Sequence, residues 1–573
     1  MKKTVKLLLL LLCAAMLAGC LLACGAGKPA EETGDANTET GATEPPETGS
    51  ISASALSDYR IIYPSEMDYA KLKTAMNDLI KAVDARFGVC LDIRDDFVRE
   101  GTIYSIAEHE ILLGTTNREE SQTVCAGLAK ANDYEIRLFG EKLVIAGITE
   151  EAVSSGIRAL IETWSAAGAT AEVFFDRSQN VRFTDRYELS DLTVDGTSIS
   201  EFTVVYENNS AGKKLAEQVA AAVRSRCGYP LPIQSDLKAL PAGKCIFIGK
   251  TTAPAPSDLT LQNPEEQYYA AIRGGNLYLY GRTVPMVYQA TEEMLTSIQN
   301  ATEENRALAL SGGAVTATDS SLVAMSFNIL CDKRTDARDA AVIDTIRRNN
   351  PDTFGVQEAT PSWMTLLKNT FGDEYGVVGE GRNGGNSGEY SAVFYRKSRF
   401  NLIASGTQWL SDTPTVKGSK MAGAAYPRVF TYAVLECKDT GRRFIHVNTH
   451  TDHVPDATVD GNAVRLKQVQ VITEFLKRNY PDLPTIISGD LNDQKTAPSI
   501  RHLLNAGYDH CADIALSSDP TPTFKSTVID YLLYSHNDFF LYEYKVDTAV
   551  YTDGLNGRTA SDHNAIIVRY EIP

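Results

Sequence analysis

Seven of the eight histidines fall after residue 320, at 446, 450, 453, 502, 510, 536 and 563. Around them, short strand-like runs each end in a polar side chain able to do acid–base or ligand chemistry. These are LVAMSFN ending at Asn328, TFGVQE at Glu358, FIHVNTHTDH with Asn448, His450, Asp452 and His453, TIISGDLN with Asp490 and Asn492, VIDYLLYS with Asp530, and SDHNAII with Asp562 and His563. Strand ends in a layered sheet meet along one edge, so these endings predict the walls of a single site. If the extended conformation continues through Leu491, Asp490 and Asn492 face the same way and hold one water from two directions. GDLN also reads as a turn in which Asp and Asn bond their own backbone. Asp562 and His563 are adjacent and would face opposite ways in a strand, so both reach one site only if the preceding turn rotates one of them.

In this order and spacing the pieces resemble the endonuclease/exonuclease/phosphatase superfamily of metal-dependent phosphoesterases, over about 320–573. EYSAVFYR at 389–396, GTQWLSDTPTVKGS at 406–419, PRVF at 427–430 and PTF at 522–524 extend the resemblance. It implies an α/β fold, a four-layered sandwich, and a hydrolase acting on phosphoric ester bonds. Glu358 and Asn328 offer hard oxygen ligands suited to Mg²⁺, or Mn²⁺, rather than zinc, and the family places its metal on their equivalents. The resemblance further implies that Asp490, oriented with Asn492, takes the proton of the attacking water, and that His450 donates to a phosphate oxygen. His563 is to face the phosphate, its ring held by Asp530, and Asp562 is to point toward the metal as a second or outer ligand. Arg428 in PRVF reads either as a clamp on a phosphate oxygen or as a surface charge. Asp452 and His453 are expected to support their loop, and Arg465 to lie on a solvated helix face. Thr451 stands where many relatives carry Leu, a departure that bears on substrate-contacting loops.

The rest of the chain must carry and position this domain. At 573 residues, with 43% hydrophobic and 22% charged residues, the sequence holds roughly three or four domains. An internal duplication is visible: YEIRLFGEKLVIAG at 134–147 aligns with YYAAIRGGNLYLYG at 268–281, and ILLGTT at 111–116 with IFIGKT at 246–251. Each copy reads strand, helix, strand, strand, hairpin and helix. The expected division is a lipoprotein signal at 1–24, a disordered linker at 25–57, α/β repeats at 58–176 and 177–300, a linker at 301–320, and the phosphoesterase domain at 321–573. Neither repeat carries a metal cluster or a nucleophile beside a base; they are expected to act as spacers, with glycan or protein contact as the alternative.

The opening MKKTVKLLLLLLCAAMLAGC has a basic start, an apolar core and small residues before a Cys, the layout of an export signal. LAGC resembles a bacterial lipoprotein signal with Cys20 as the lipidated residue; LLAC offers Cys24 as the alternative, and an uncleaved membrane anchor is a further reading. Each of these readings puts the remainder outside the cytoplasm, tethered to a membrane. Cysteines 90, 125, 227, 245, 331, 437 and 511 are scattered singly and read as mostly buried thiols.

Charge narrows the substrate. Lys and Arg number 55 against 73 Asp and Glu, a net −18, and from 320 to 573 they number 26 against 30. Nonspecific affinity for DNA comes largely from cations neutralising phosphates, so no duplex nucleic acid partner is expected. A phosphorylated small molecule, a lipid headgroup or a short phosphodiester fits better. Two rivals remain: a metallo-β-lactamase-like hydrolase, for which Asn448 stands where the first zinc-binding His is needed, and a surface binding lipoprotein whose C-terminal domain is catalytically silent.

Overall fold

The computed structural model describes residues 49–98, 106–165, 171–317, 321–332, 334–453, 460–519, 521–536 and 538–572. The signal segment, Cys20 and Cys24 lie outside the described residues. Among these, no helix is long and apolar enough to cross a membrane, and no disulfide is formed. Cys125, Cys227, Cys245, Cys437 and Cys511 are buried free thiols, whereas Cys90 is exposed.

Two six-stranded sheets share one strand order. The first runs Asp92–Asp95, Arg60–Tyr63, Glu110–Leu113, Lys142–Gly147, Tyr134–Phe139, Val181–Phe183; the second runs Ile233–Ser235, Phe202–Tyr206, Lys244–Ile248, Asn276–Gly281, Gln267–Arg273, Ala314–Thr316. In each, two helices seal one face: Tyr69–Phe87 and Glu150–Thr163 in the first, Ser210–Cys227 and Val284–Asn300 in the second. Asp68, Thr149 and Asn209 accept from backbone N–H groups at the starts of three of these helices, satisfying donors that a helix leaves free.

The opposite faces differ. Helix Glu119–Cys125 covers that of the first sheet, packing Val124 and Cys125 on Ile62, Leu112 and Val144. In the second sheet, Phe247, Tyr269, Tyr278 and Tyr280 border an open cavity of about 470 Å³.

Three expected boundaries are corrected. Residues 50–57 are not a disordered spacer: Ser50–Ser52 pairs antiparallel with Val173–Asp176, and Ile51 and Leu56 are buried. Two apolar residues in a Ser/Ala-rich stretch are enough to anchor it where a sheet edge is available. Val181–Phe183, assigned from sequence to the second repeat, completes the first sheet, and Ala314–Thr316, expected in a linker, completes the second.

The remaining residues form four layers. One central sheet has the order Tyr375–Val378, Tyr390–Arg396, Thr353–Ala359, Leu322–Asn328, Ala565–Glu571, Phe540–Asp547, Ser517–Ser518; the other has Phe400–Trp409, Val429–Cys437, Arg443–His450, Thr485–Asp490, Asp530–Ser535, Tyr508–His510. Period-two alternation explains the stacking. Leu322, Ala324, Leu435, Phe444, Ile486, Leu532, Ile566 and Val568 point inward and form the core between the sheets. Their outward neighbours meet helices: Met325 and Phe327 pack on Asp336–Asn349 and Pro361–Phe371, and Ile445, Val447 and Ile487 on Gly461–Asn479. The helices answer with one-sided apolar spacing, such as Val469, Ile472 and Leu476.

Toward one end of the sandwich the inward positions change from apolar to polar. Leu322 and Ala324 are followed by Ser326 and Asn328, Phe444 by His446, Asn448 and His450, and Ile486 by Ser488 and Asp490. The polar layer is internally bonded. Asn448 donates to the Val356 and Ala392 carbonyls at 2.9 and 2.8 Å and accepts from Gln357 Nε2 at 2.6 Å. Gly355 is required opposite Asn448, because a Cβ there would lie 2.5 Å from its Cγ.

His446 is wholly buried in this layer, between Thr353 Oγ1 and Ser488 Oγ, each at 2.8 Å. Burial pushes its pKa down from 6.5 to about 3. The folded state keeps the ring neutral where the unfolded chain protonates it. Stability is therefore full above about pH 6.5 and falls with pH toward about 3, by up to about 1.4 kcal/mol per pH unit. Replacing His446→Gln is expected to flatten the acid limb of the urea midpoint plotted against pH between about 6 and 4; an unchanged limb refutes this origin.

Candidate active site

The polar end of the inter-sheet face converges on Asp490. Its strand lies between those ending in His450 and beginning at Asp530, with Asp490 directly paired to each in register. Asp490 is 2% exposed, and its carboxylate is held from several sides. Asn328 Nδ2 donates to Oδ2 at 3.0 Å, the Asn492 N–H donates to Oδ1 at 3.0 Å, and the Nε2 atoms of His450 and His563 stand 3.5 and 3.7 Å from Oδ2. Burial and the facing Asp530 carboxylate both raise its pKa.

His563 is oriented from behind. Its Nδ1 lies 2.9 Å from Asp530 Oδ2, and Phe524 packs against the ring at 4.5 Å between centroids. Burial disfavours the charged ring, but the Asp530 carboxylate overrides it and the pKa rises to about 9. By strand alternation His563 would share the outward parity of Ala565 and Ile567. The irregular approach to the strand, where His563 bridges Phe524 and Asn564 N donates to Thr523 O, turns it inward. Asp562 is exposed and belongs to neither close group of candidate ligands.

Glu358 reaches the site by a second local distortion. Its neighbours Phe354 and Val356 face the helices, and Gln357 faces inward, so a regular strand would send Glu358 away from Asp490. A register shift between Val356 and Ala359, with Glu358 at φ 59°, reverses this. A non-glycine residue in left-handed conformation costs of order 1 kcal/mol or more and persists where surrounding contacts demand it. Here the contacts are Asn328 Nδ2 to Oε1 and Cys331 N to Oε2, each at 3.0 Å. Burial works against the charge on Glu358, yet these hydrogen bonds bring the net pKa down, so the carboxylate is ionised.

Asn328 Oδ1 accepts from Leu330 N at 3.1 Å, while its Nδ2 bridges Glu358 and Asp490. Of the two readings of GDLN, the turn holds: Asn492 has φ 50°, donates its backbone N–H to Asp490 Oδ1 and its side-chain amide to Thr451 O at 3.2 Å. Arg465 is not on a solvated face. It is 8% exposed and pairs with Asp493 Oδ2 at 2.8 Å, pinning the loop that follows Asp490. A helix residue reads as solvated from its own periodicity until a neighbouring loop supplies a buried acid.

Of the two readings of Arg428, the surface charge is excluded: it is 4% exposed and lies beside His450. His450 is 6% exposed, its Nδ1 has no hydrogen-bond partner, and burial followed by the Arg428 charge lowers its pKa well below the usual range, so it is neutral. Asp452 accepts from the Ala425 and Tyr426 N–H groups at 2.9 and 3.2 Å, tying a neighbouring loop. His453 stacks on Tyr426 at 5.9 Å.

Residues that sequence reasoning passed over are Phe524, Cys331, Arg382 and Asp493. PTF was visible as a landmark; Arg382 and Asp493 gave no periodic or spacing signal.

Among the described residues, two donor groups have ligand atoms within 4.8 Å of one another: Glu358, His450 and Asp490, and Asp490, Asp530 and His563. The first joins two carboxylates to one imidazole. Hard oxygens dominate it, which fits Mg²⁺ or Mn²⁺, while one imidazole per group falls short of a histidine-rich zinc set.

Residues 325–563 match the sequence family described as the Endonuclease/Exonuclease/phosphatase family. No curated protein matches the chain. Among solved structures, an endonuclease/exonuclease/phosphatase from Bacteroides vulgatus aligns at 24% identity and TM-score 0.40, over 44% of this chain and 100% of that one. An endonuclease/exonuclease/phosphatase family protein from Bacteroides thetaiotaomicron aligns at 27% and 0.40, over 44% and 98%. The mannosyl-6-phosphatase of Bacteroides thetaiotaomicron aligns at 27% and 0.39, over 44% and 100%.

Asp530 gives His563 both its orienting acceptor and the charge that retains its proton. In Asp530→Asn the His563 ring is expected to titrate well below its value of about 9, followed by NMR, with kcat on a phosphoester falling about 10³- to 10⁴-fold. A His563 titration that does not move refutes the pairing.

Proposed function

We propose that the protein is a metal-dependent phosphoesterase working by attack of water on phosphorus, a reading supported by the match of residues 325–563 to the Endonuclease/Exonuclease/phosphatase family. The observation that carries this reading is the buried Asp490 carboxylate between His450 and His563, at the end of a bonded chain from Glu358 through Asn328.

Glu358 would hold Mg²⁺ or Mn²⁺, with the exposed Asp562 as a second or outer ligand; Asn328 orients the carboxylates. The bound ion neutralises phosphate charge and lowers the barrier by several kcal/mol. Every other step falls to side chains. Asp490, its proton affinity raised by burial and by Asp530, takes a proton from water as the water oxygen bonds to phosphorus. A general base with a raised pKa contributes about 10²- to 10⁴-fold. The ester P–O bond breaks, and the proton taken by Asp490 ends on the leaving alcohol. His563, held protonated by Asp530, offers positive charge to the phosphoryl oxygens as charge builds there. Neutral His450 donates one hydrogen bond without demanding a counter-ion. The Asn492 backbone N–H fixes the carboxylate orientation of the base.

Substrate chemistry follows the charge balance. With no excess of Lys and Arg from 320 to 573, a phosphorylated small molecule, a lipid headgroup or a short phosphodiester is favoured over duplex nucleic acid. The N-terminal export signal supports an extracytoplasmic enzyme tethered through Cys20, with the two α/β repeats between tether and active domain.

Two measurements test the reading. Release of p-nitrophenol from mono- and bis-p-nitrophenyl phosphate is expected with Mg²⁺ and not with EDTA, and to fall about 10³-fold in Asp490→Asn and His563→Ala. Glu358→Gln is expected to weaken Mg²⁺ binding about 10- to 100-fold by calorimetry; undiminished hydrolysis in EDTA refutes the metal role. For the tether, radiolabelled fatty acid should incorporate in the wild type and in Cys24→Ser and be lost in Cys20→Ser; label retained in Cys20→Ser points to Cys24 or to an uncleaved anchor.

A further inference from the structure

Beside His450 the wall of the site carries two arginines and is nearly closed. Arg428 is 4% exposed, and a charge so far from water ordinarily has close, well-aligned partners. Those of Arg428 are sparse. Its Nη2 meets His453 Nδ1 at 3.3 Å, the Glu389 and Asp452 carboxylates stand off at 4.0 Å, and its Nε has no hydrogen-bond partner. Arg382 lies beside it, with its guanidinium 4.4 Å over the Tyr426 ring and 2.7 Å from Glu389. Glu389 and Asp452 balance the two guanidiniums in formal charge but stand too far from Arg428 to satisfy its Nε.

Both arginines, with Glu389, Ser391 and His450, line a cavity of about 10 Å³. That is room for about one water-sized atom. His450 connects the cavity to the reacting centre: it lines the cavity, and its Nε2 is 3.5 Å from Asp490. His450 is thus shared between the cavity and the reacting centre.

We propose that this cavity seats one unsubstituted oxygen of the substrate phosphate, making the enzyme selective for phosphomonoesters over phosphodiesters. The inference rests on the phosphoesterase reading above and deepens it. A monoester has three unsubstituted phosphoryl oxygens and a diester two. With one oxygen toward Glu358 and one between the histidines, the third position of a monoester is a bare, charged oxygen that pairs with Arg428 and Arg382. In a diester the same position carries an esterified oxygen and its carbon. These need more room than about one water, and they leave the buried Arg428 Nε without an acceptor. Discrimination of this kind, where the wrong substrate strands a buried polar group, is the stronger form of specificity. Tyr426 and Asp452 are positioning residues: Asp452 fixes the loop, and Tyr426 supports both guanidiniums from below, Arg428 at 5.9 Å.

The test compares kcat/KM for p-nitrophenyl phosphate and bis-p-nitrophenyl phosphate under Mg²⁺ in wild type, Arg428→Gln and Arg382→Gln. The wild type is expected to prefer the monoester. The monoester-to-diester ratio is expected to fall about 30-fold or more in Arg428→Gln and about 10-fold in Arg382→Gln. A wild-type preference for the diester, or a ratio unmoved by both substitutions, overturns the proposal. Arg382 is only partly buried, so its variant keeps the test decisive if Arg428→Gln does not fold. Calorimetry with inorganic phosphate and dimethyl phosphate reads the cavity without turnover. Wild type should bind inorganic phosphate at least about 10-fold tighter than dimethyl phosphate, and Arg428→Gln should lose that margin. A protein that hydrolyses neither ester but keeps the margin refutes the catalytic reading and retains the cavity; equal binding of the two anions refutes the cavity.

Discussion

A carboxylate buried beside another carboxylate is the constraint around which the C-terminal domain is arranged. Asp490 and Asp530 are directly opposed on neighbouring antiparallel strands, a pairing that repels unless something positive or donating stands close. The structure supplies His563 to both, and Asn328 and the Asn492 N–H to Asp490. The Asp530 charge acts on both neighbours in the same direction, raising the proton affinity of Asp490 and holding the proton on His563.

Holding that arrangement requires a rigid frame. The two sheets are joined at their polar end by a bonded layer of Thr353, Gln357, His446, Asn448 and Ser488, with Gly355 allowing the sheets to approach. Such a layer specifies register in a way an apolar core does not, since a slip of one residue would leave each of these groups without a partner. Arg465, Asp493 and Asp452 do the same for the loops at the rim. Geometric precision at Asp490 comes from side chains that never meet substrate.

The two small sheets have diverged while keeping one frame. Gly114 and Gly249 occupy equivalent strand ends, and their N–H groups donate to Ile145 and Leu279 at 2.9 Å in each case. Asp96 and Asp236 each accept from two loop N–H groups at the corresponding edge. What changed is the exposed face, sealed by a helix in the first and lined by tyrosines in the second. The second sheet also joins the C-terminal domain: Leu516 lies in its core, Ser518 N donates to Ser210 Oγ at 3.0 Å, and Tyr288 packs on Phe540 at 4.8 Å. The C-terminal domain is therefore braced by its neighbour through packed side chains as well as by the chain that links them.

Much of this was legible in the residues themselves. Period-two runs ending in Asn, Glu, His and Asp identified the strands and the edge where they meet, because alternation places successive side chains on fixed faces and Asn328, His450, Asp490 and Asp530 all carry the inward parity. The duplicated hairpins showed the repeat for the same reason. Local pattern could not reveal where that parity breaks. Glu358 and His563 would both point away from the site in regular strands, and only a bulge and an irregular turn bring them in. The edge strands at 181–183 and 314–316 were misread because their conformations are set by open sheet edges remote in sequence. The buried arginines were the least visible, since nothing in a sequence distinguishes a solvated guanidinium from one enclosed by a loop folded over it. Side-chain chemistry and its approximate location belonged to the sequence; which atom faces which, and at what cost in strain and desolvation, was decided by tertiary contacts.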